Sequence, residues 1–115
     1  MINDQDFRNF NYNVLGSRSK LIGDLIFSGD TIITSFIEGS IEVIDEGKLI
    51  LERGSLVRGK IKATNLEVFG EVEGDIDCSG LVSIRSSAHI TGTIKSQRLV
   101  IYPGAVVETQ TNSEE

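Results

Sequence analysis

Apolar and polar residues alternate along most of the chain, in short runs that are separated by glycine. From residue 21 to residue 107 the pattern apolar, any residue, apolar recurs many times, and Val, Ile and Leu supply most of its apolar positions. Because successive side chains of a strand point to opposite faces, this alternation is typical of short strands that are buried on one side. The pattern therefore predicts an all-β chain.

The alternation is organised into a repeat of about 17 residues. Five segments consist of an apolar residue, any residue, Gly, any residue, then Ile or Leu, and their glycines are 16, 20, 15 and 18 residues apart: Gly23, Gly39, Gly59, Gly74 and Gly92. A second pattern of two aliphatic residues around any third residue falls between them, at spacings of 17, 16 and 17: Leu49 and Leu51, Leu66 and Val68, Val82 and Ile84, Leu99 and Ile101. Two interleaved patterns with one period indicate a single repeating unit.

Strand alternation assigns three pairs of inward residues to each unit. In one unit they are Leu66 and Val68, Gly70 and Val72, and Gly74 and Ile76. Three short faces per turn predict a single-domain triangular solenoid, a parallel β-helix in which each turn contacts only its neighbours. A lone glycine in a strand is usually a turn or a bulge. Five at the same place of a repeat instead indicate columns of small residues in a narrow interior.

The outward residues fall into columns of alternating charge when the repeats are aligned on their glycines. One column holds Glu38, Arg58, Glu73 and Thr91, the next holds Ser40, Lys60, Asp75 and Thr93, and the third holds Glu42, Lys62, Asp77 and Lys95. Successive turns lie ~4.8 Å apart in a parallel stack, so like charges in register would repel. A merely solvated charged face would not alternate in sign, and the alternation therefore supports the proposed register.

Composition and charge limit the classes of function. The 115 residues fit one domain, and 11 Lys+Arg against 17 Asp+Glu give a net charge of −6, which argues against binding to nucleic acid. The lone Cys78 continues an inward column after Ile76 and reads as a small apolar filler. No secretory signal and no run of ~18 apolar residues is present, so we expect a cytoplasmic protein.

Four glycine-containing segments and a final run carry a family resemblance. They are Ile37-Glu38-Gly39-Ser40-Ile41, Gly59-Lys60-Ile61-Lys62-Ala63, Val68-Phe69-Gly70-Glu71-Val72-Glu73-Gly74-Asp75-Ile76, Ala88-His89-Ile90-Thr91-Gly92-Thr93-Ile94, and Leu99-Val100-Ile101-Tyr102-Pro103-Gly104-Ala105. In this order they resemble the bactofilins, bacterial cytoskeletal proteins whose central domain is a right-handed triangular β-helix. The resemblance implies end-to-end assembly into nonpolar filaments without nucleotide or other cofactor. It also implies a scaffolding role that localises proteins of the cell envelope, including those that remodel peptidoglycan.

The two ends of a β-helix are the predicted contacts of such a homopolymer, because open strand edges and apolar columns are normally capped or paired. Leu99, Ile101 and Val107 end the inward columns on the C-terminal side. Leu21, Ile22 and Leu25 begin the repeats on the N-terminal side. We therefore expect a polymerisation domain at residues 21–108, followed by a disordered polar tail at residues 109–115.

Residues 1–20 lack the repeat and are expected to be a flexible segment. Three interpretations stay open for them: a tail, a cap over the first turn, or an anchor to the inner face of the membrane or to a partner. The candidate contacts are Met1, Ile2, Phe7 and Phe10. Many bactofilins attach to the membrane through a short N-terminal peptide, but such peptides benefit from basic residues. The net charge of this segment is only +1.

An enzyme and a binding module are the alternatives to a filament protein. Acyltransferases with hexapeptide repeats also have short coils, and use a histidine as general base. His89 is the candidate here, but it lies at an outward position and no carboxylate is placed beside it by spacing. Asp75 and Asp77 would face Lys60 and Lys62 rather than a metal ion. We therefore expect no catalytic, cofactor or metal site, and keep a binding module that does not polymerise as the alternative.

Overall fold

The computed structural model describes residues 13–15 and 20–113, and all regular structure there is β. Short strands alternate with long ones: β1 (Asn13–Leu15), β2 (Lys20–Ser28), β3 (Thr31–Ile33), β4 (Phe36–Ile44), β5 (Lys48–Leu51), β6 (Leu56–Ala63), β7 (Asn65–Val68), β8 (Glu71–Cys78), β9 (Leu81–Ile84), β10 (His89–Ser96), β11 (Arg98–Ile101) and β12 (Val106–Ser113).

The strands form two parallel sheets, and the chain passes from one sheet to the other as it winds around the solenoid. The short strands lie side by side in chain order in one six-stranded sheet, and the long strands do the same in the other. Each inner strand pairs in parallel with the strand one turn earlier and the strand one turn later, and β1, β2, β11 and β12 are the edge strands. This arrangement confirms the predicted β-helix with about 17 residues per turn. Its right-handed sense stays a prediction.

The register of the turns is the predicted one. Gly23, Gly39, Gly59, Gly74 and Gly92 are successive partners across the long strands. The outward charges follow the same register, since Lys60 lies opposite Asp75 and Lys62 opposite Asp77. Leu49, Leu66, Val82 and Leu99 are likewise successive partners across the short strands. Both repeat patterns therefore mark structurally equivalent positions.

The glycine column has a backbone conformation that favours glycine. Its members have φ between 134° and 147°, a conformation that side chains with a Cβ rarely adopt. A Cβ on Gly59 would overlap the carbonyl oxygen of Gly39, and Gly39, Gly74 and Gly92 would each overlap the preceding glycine in the same way. A backbone carbonyl of the neighbouring turn thus excludes the side chain. The predicted steric need for a residue without a side chain is thus confirmed, although the obstacle in this column is backbone; at Gly70 a Cβ would instead overlap the buried Ser55.

The core is a stack of aliphatic columns between the two sheets. Its largest members are 0 or 1% exposed in the central turns: Ile33, Ile37, Ile41, Leu49, Leu51, Ile61, Leu66, Ile76, Ile84, Ile90 and Ile94. In one inward column the large side chains of the first turns give way to small ones: Phe27, Val43, Ala63, Cys78 and Ser96 lie at the same place of successive turns. The interior is therefore filled by side chains from turn to turn.

The solenoid begins earlier than predicted. Strand β1 lies inside the segment expected to be flexible, with Val14 opposite Ile32 of β3. The short-strand pattern missed β3 because it requires two aliphatic residues, and Thr31 is polar. Thr31 is nevertheless fully buried, and its hydroxyl is satisfied there because Oγ1 donates a hydrogen bond to the Gly29 carbonyl at 3.1 Å. A hydrogen-bonded threonine can therefore occupy a core column.

The solenoid also ends later than predicted. Strand β12 pairs with β10 as far as Ser113, so strand pairing continues beyond the predicted end of the polymerisation domain at residue 108. Hydrogen bonds between paired strands join backbone N–H and C=O groups, so strand pairing does not require apolar side chains. Residues 1–12, 16–19 and 114–115 lie outside the described part of the chain.

The overlap at the glycine column can be tested by two matched substitutions. Gly59→Ala is expected to destabilise the fold by at least about 3 kcal/mol, because strain at positive φ adds to overlap with a backbone atom. Gly23→Ala should cost only about 1–2 kcal/mol, from strain alone. A Cβ at Gly23, whose φ is 134°, meets no described atom within 4 Å. Chemical denaturation measures both values, and equal losses would show that φ alone requires glycine.

Two buried serines provide a second comparison. Ser55 and Ser96 are each 3% exposed, but Ser55 Oγ donates a hydrogen bond of 2.6 Å to the Glu52 carbonyl, whereas Ser96 Oγ has no partner among the described residues. Ser96→Ala should leave the free energy of unfolding unchanged or raise it by about 1 kcal/mol, because an unsatisfied hydroxyl is removed. Ser55→Ala should lower it by about 1 kcal/mol. Denaturant unfolding of both variants would refute this if Ser96→Ala were the more damaging.

Candidate assembly interface

The C-terminal end of the solenoid consists of β11 and β12, the last strands of their sheets. Within one core column, Val68 and Ile84 are 0% exposed, whereas Ile101 in the next turn is 46% exposed. Leu99 and Val107 are partly buried against the core. The apolar columns therefore reach the C-terminal end, where the described residues leave Ile101 open to solvent.

The N-terminal end is bounded by β1 and β2. Leu21 and Leu25 point towards the core and are only partly buried, while the residues that follow them in the column, Ile37 and Ile41, are 0 and 1% exposed. Ile22, which was predicted with them, instead faces outward and is 74% exposed. The other predicted contacts, Met1, Ile2, Phe7 and Phe10, lie outside the described residues. Of the predicted N-terminal set, Leu21 and Leu25 thus belong to the end of the core.

One corner of the solenoid carries a stack of rings and a cation. The guanidinium carbon of Arg85 lies 5.4 Å from the ring centre of Phe69 and 4.2 Å from that of Tyr102. Arg85 also forms an ion pair of 3.2 Å with Glu67, which pairs with Lys48 at 3.2 Å. Such stacking typically contributes ~0.5–1 kcal/mol at exposed sites. It ties the last turn to the two before it.

The repeat patterns of the sequence did not predict this stack. Its signal was present, since Phe69, Arg85 and Tyr102 each follow the second aliphatic residue of a short strand, at spacings of 16 and 17. The predicted columns hold residues of like character or of alternating charge. A cation between two aromatic rings was therefore not recognised as one column.

Only some neighbouring opposite charges in the predicted columns form ion pairs. Arg58 Nε lies 3.0 Å from Glu73 Oε1, as the register predicted. Among the described residues, no ion pair joins Lys60 to Asp75 or Lys62 to Asp77. Asp75 instead accepts a hydrogen bond of 2.6 Å from the Thr93 hydroxyl. The alternating signs therefore avoid repulsion between turns, while several of the charged groups stay exposed to solvent.

His89 has a carboxylate neighbour that the sequence spacing did not indicate. Its Nε2 lies 3.3 Å from Glu108 Oε1, and both side chains are substantially exposed, at 46 and 68%. This pair lies beside the last turn and connects β10 to β12. Within the part of the chain that the structure describes, no group of three or more His, Cys, Asp and Glu side chains could hold a metal ion.

Comparison with known proteins assigns this solenoid to a family. Residues 13–112, from the start of β1 into β12, match the family described as bactofilin, polymer-forming cytoskeletal. The chain belongs to the bactofilin family. Bactofilin BacO of Myxococcus xanthus (strain DK1622) is 29% identical over 92 residues, which cover 80% of this chain and 71% of that relative. No solved structure matches the chain significantly.

Family membership confirms the resemblance carried by the glycine-containing repeats. The bactofilin match also begins with β1, which agrees with the earlier start of the solenoid rather than with the predicted start at residue 21. In the described part, the structure has no helix that is long and apolar enough to cross a membrane. The family is a cytoskeletal one, so the two ends of the solenoid are the candidate functional surfaces of this bactofilin.

Cys78 lies in the interior, away from both ends. It is 3% exposed, and burial raises the pKa of its thiol to about 12, despite a backbone hydrogen bond with Ala63 that lowers it. The thiolate is the reactive form of cysteine. The structure thus supports the predicted role of Cys78 as an interior filler.

The buried thiol has a pH consequence for this bactofilin. Because the folded chain holds the thiol proton more tightly than the unfolded chain, the resulting stability is complete below about pH 9 and is lost as the pH rises towards 12. The free energy of unfolding should therefore fall over that range, and less so for Cys78→Ala. At pH 8, alkylation of the native thiol should be at least about 100-fold slower than in denaturant. Equal alkylation rates in native and denatured samples would contradict the assigned burial.

Proposed function

We propose that this bactofilin assembles end to end into nonpolar filaments without nucleotide, and that the filaments act as a scaffold for proteins of the cell envelope. The observation that carries the proposal is the uncovered C-terminal end of the core, where Ile101 is 46% exposed although Ile84, one turn earlier, is 0% exposed. Stacking a second subunit on this end would bury Ile101, Leu99 and Val107. Each buried aliphatic side chain contributes about 1.5–3 kcal/mol.

A nonpolar filament requires contacts between like ends. If the C-terminal ends of two subunits meet about a two-fold axis, the same residues lie on both sides of the contact. A second contact of this kind between N-terminal ends, through Leu21 and Leu25, continues the chain of subunits. Alternating contacts of these two kinds give a filament with no overall direction.

Assembly of this kind needs no bound cofactor as a source of energy. The central turns are filled by their own side chains, and the ends differ from them in having a neighbouring turn on one side only. Burial of apolar surface at the ends then drives association. We propose no catalytic role for His89, whose partner Glu108 is itself exposed.

Envelope proteins would bind the sides of such a filament, which stay accessible when the ends are stacked. Contact with the inner face of the membrane would come from Met1, Ile2, Phe7 and Phe10, which precede β1 at the N-terminal side. This part of the proposal extends the cytoskeletal character of the family.

Two neighbouring residues of β11 test the end contact. Ile101 and Val100 are similarly exposed, at 46 and 41%, but Ile101 continues a core column whereas Val100 faces outward in register with Ser83. Ile101→Asp should abolish filaments, because it places a charge in the apolar contact. Val100→Asp should leave them intact. Negative-stain electron microscopy of the purified protein, without nucleotide, gives the comparison.

The alternative, a binding module that does not polymerise, would give a different result. The unmodified chain would then stay a monodisperse monomer at high concentration, and both variants would behave alike. Circular dichroism of both variants shows whether each one is folded. Filaments of folded Ile101→Asp would overturn the contact at this end.

A further inference from the structure

One outer face of the solenoid carries a compact group of charges. It is formed by the parts of the long strands that follow the glycine column, and we call it the charged face. Its charged residues in the middle turns are Glu42, Lys60, Lys62, Asp75, Asp77 and Lys95. All of them are exposed except Glu42, which is half-buried. Three bases and three acids make this group neutral, although the chain has a net charge of −6.

Among residues 20–113, these six charges take part in none of the ion pairs found. Ion pairs among the described residues include Lys20–Glu38, Lys48–Glu67, Arg58–Glu73 and Arg85–Glu67, and His89 forms one with Glu108 when its imidazole is protonated. None of them includes a residue of the charged face. Asp75 accepts a hydroxyl hydrogen bond from Thr93, and no carboxylate of the described residues forms an ion pair with Lys60, its partner in register. The face therefore presents charge to solvent or to a partner.

Within the middle turns, from β4 to β10, the order of the charges is self-complementary. From the N-terminal side the rows read Glu42, then Lys60 and Lys62, then Asp75 and Asp77, then Lys95. The signs are thus one negative, two positive, two negative and one positive. Rows at equal distances on either side of the midpoint between the lysine row and the aspartate row therefore carry opposite charges. A surface with that symmetry matches a second copy of itself turned end for end.

We propose that the charged face binds the charged face of a second copy of this chain, with the two solenoids antiparallel. The two-fold axis runs along the strands, between the lysine and aspartate rows. Lys60 then faces Asp75 of the second copy, Lys62 faces its Asp77, and Glu42 faces its Lys95. Symmetry repeats the three pairs, which gives six ion pairs across the contact.

The geometry of sheets permits these pairs. Facing sheets pack ~10 Å apart, a gap that a lysine of one copy and an aspartate of the other can bridge together. The same faces brought together about an axis parallel to the solenoid would oppose each row to itself, so lysines would meet lysines. Electrostatics therefore selects the antiparallel arrangement. This contact joins the sides of subunits and does not depend on the proposed stacking of their ends.

The contact can be tested by exchanging charge between copies. The variant Lys60→Glu/Lys62→Glu should lose lateral association, because both of its central rows become acidic. The variant Asp75→Lys/Asp77→Lys should lose it as well, with both rows basic. An equimolar mixture should restore it, since every row of one variant then faces the opposite charge on the other. Arg53→Glu/Arg98→Glu, which changes the net charge by the same amount as the first variant, is the control.

Sedimentation velocity and the widths of filaments in electron micrographs measure the association. In about 50 mM salt the unmodified chain should form lateral pairs that separate in about 500 mM salt. Each double variant alone should associate at least about tenfold more weakly. If end stacking does not occur, the pairs appear as dimers; if it does, they appear as doubled filaments. The two proposals therefore fail separately.

Thermal unfolding of each variant shows whether it is folded. If Lys60→Glu/Lys62→Glu does not fold, Lys60→Gln/Lys62→Gln replaces it and should still weaken the pairing and reduce its dependence on salt. Restored association in the mixture, with none in either variant alone, would establish the contact. Association that the folded variants retain, that the mixture fails to restore, or that the control loses equally would overturn it.

Discussion

The parallel, in-register pairing of each turn with the next is the interaction on which the whole structure depends. It brings equivalent residues of successive turns to within ~4.8 Å of one another, so each position of the repeat must be compatible with itself. Aliphatic residues satisfy this requirement in the core. Glycine satisfies it where the Gly39 carbonyl fills the space of a Cβ on Gly59. Opposite charges satisfy it on the outer face, where Arg58 meets Glu73.

The sequence was informative wherever a column repeats one kind of residue. The aliphatic, glycine and charge columns predicted the fold and its register, because stacking requires the same chemistry at the same spacing. Columns of mixed chemistry were not recognised. The early strand β3 was not predicted because polar Thr31 lies in its core column, where a backbone carbonyl accepts a hydrogen bond from the buried hydroxyl. Arg85, between the rings of Phe69 and Tyr102, fits neither a column of like residues nor one of alternating charge.

The boundaries and the ion pairs were predicted less well, for different reasons. Backbone pairing extends β12 through a polar sequence that no hydrophobic pattern marks. The register of the strands determines which charged residues are neighbours. Whether two neighbours form an ion pair also depends on competing partners, such as the Thr93 hydroxyl that donates a hydrogen bond to Asp75. The end residues Leu99 and Ile101 followed from the repeat itself. Ile22 faces outward, and its part in the end contact stays a prediction.

The ends and the charged face use different physics, which makes their associations separable. Contact at the ends buries apolar columns, a driving force that moderate salt does not weaken. Contact through the charged face relies on exposed ion pairs, each worth only ~0.2–1 kcal/mol and screened beyond ~8 Å at physiological ionic strength. Single pairs of faces would therefore be weak. Subunits already aligned in a filament present many such faces at a high effective concentration, so end stacking would strengthen lateral pairing without any new contact.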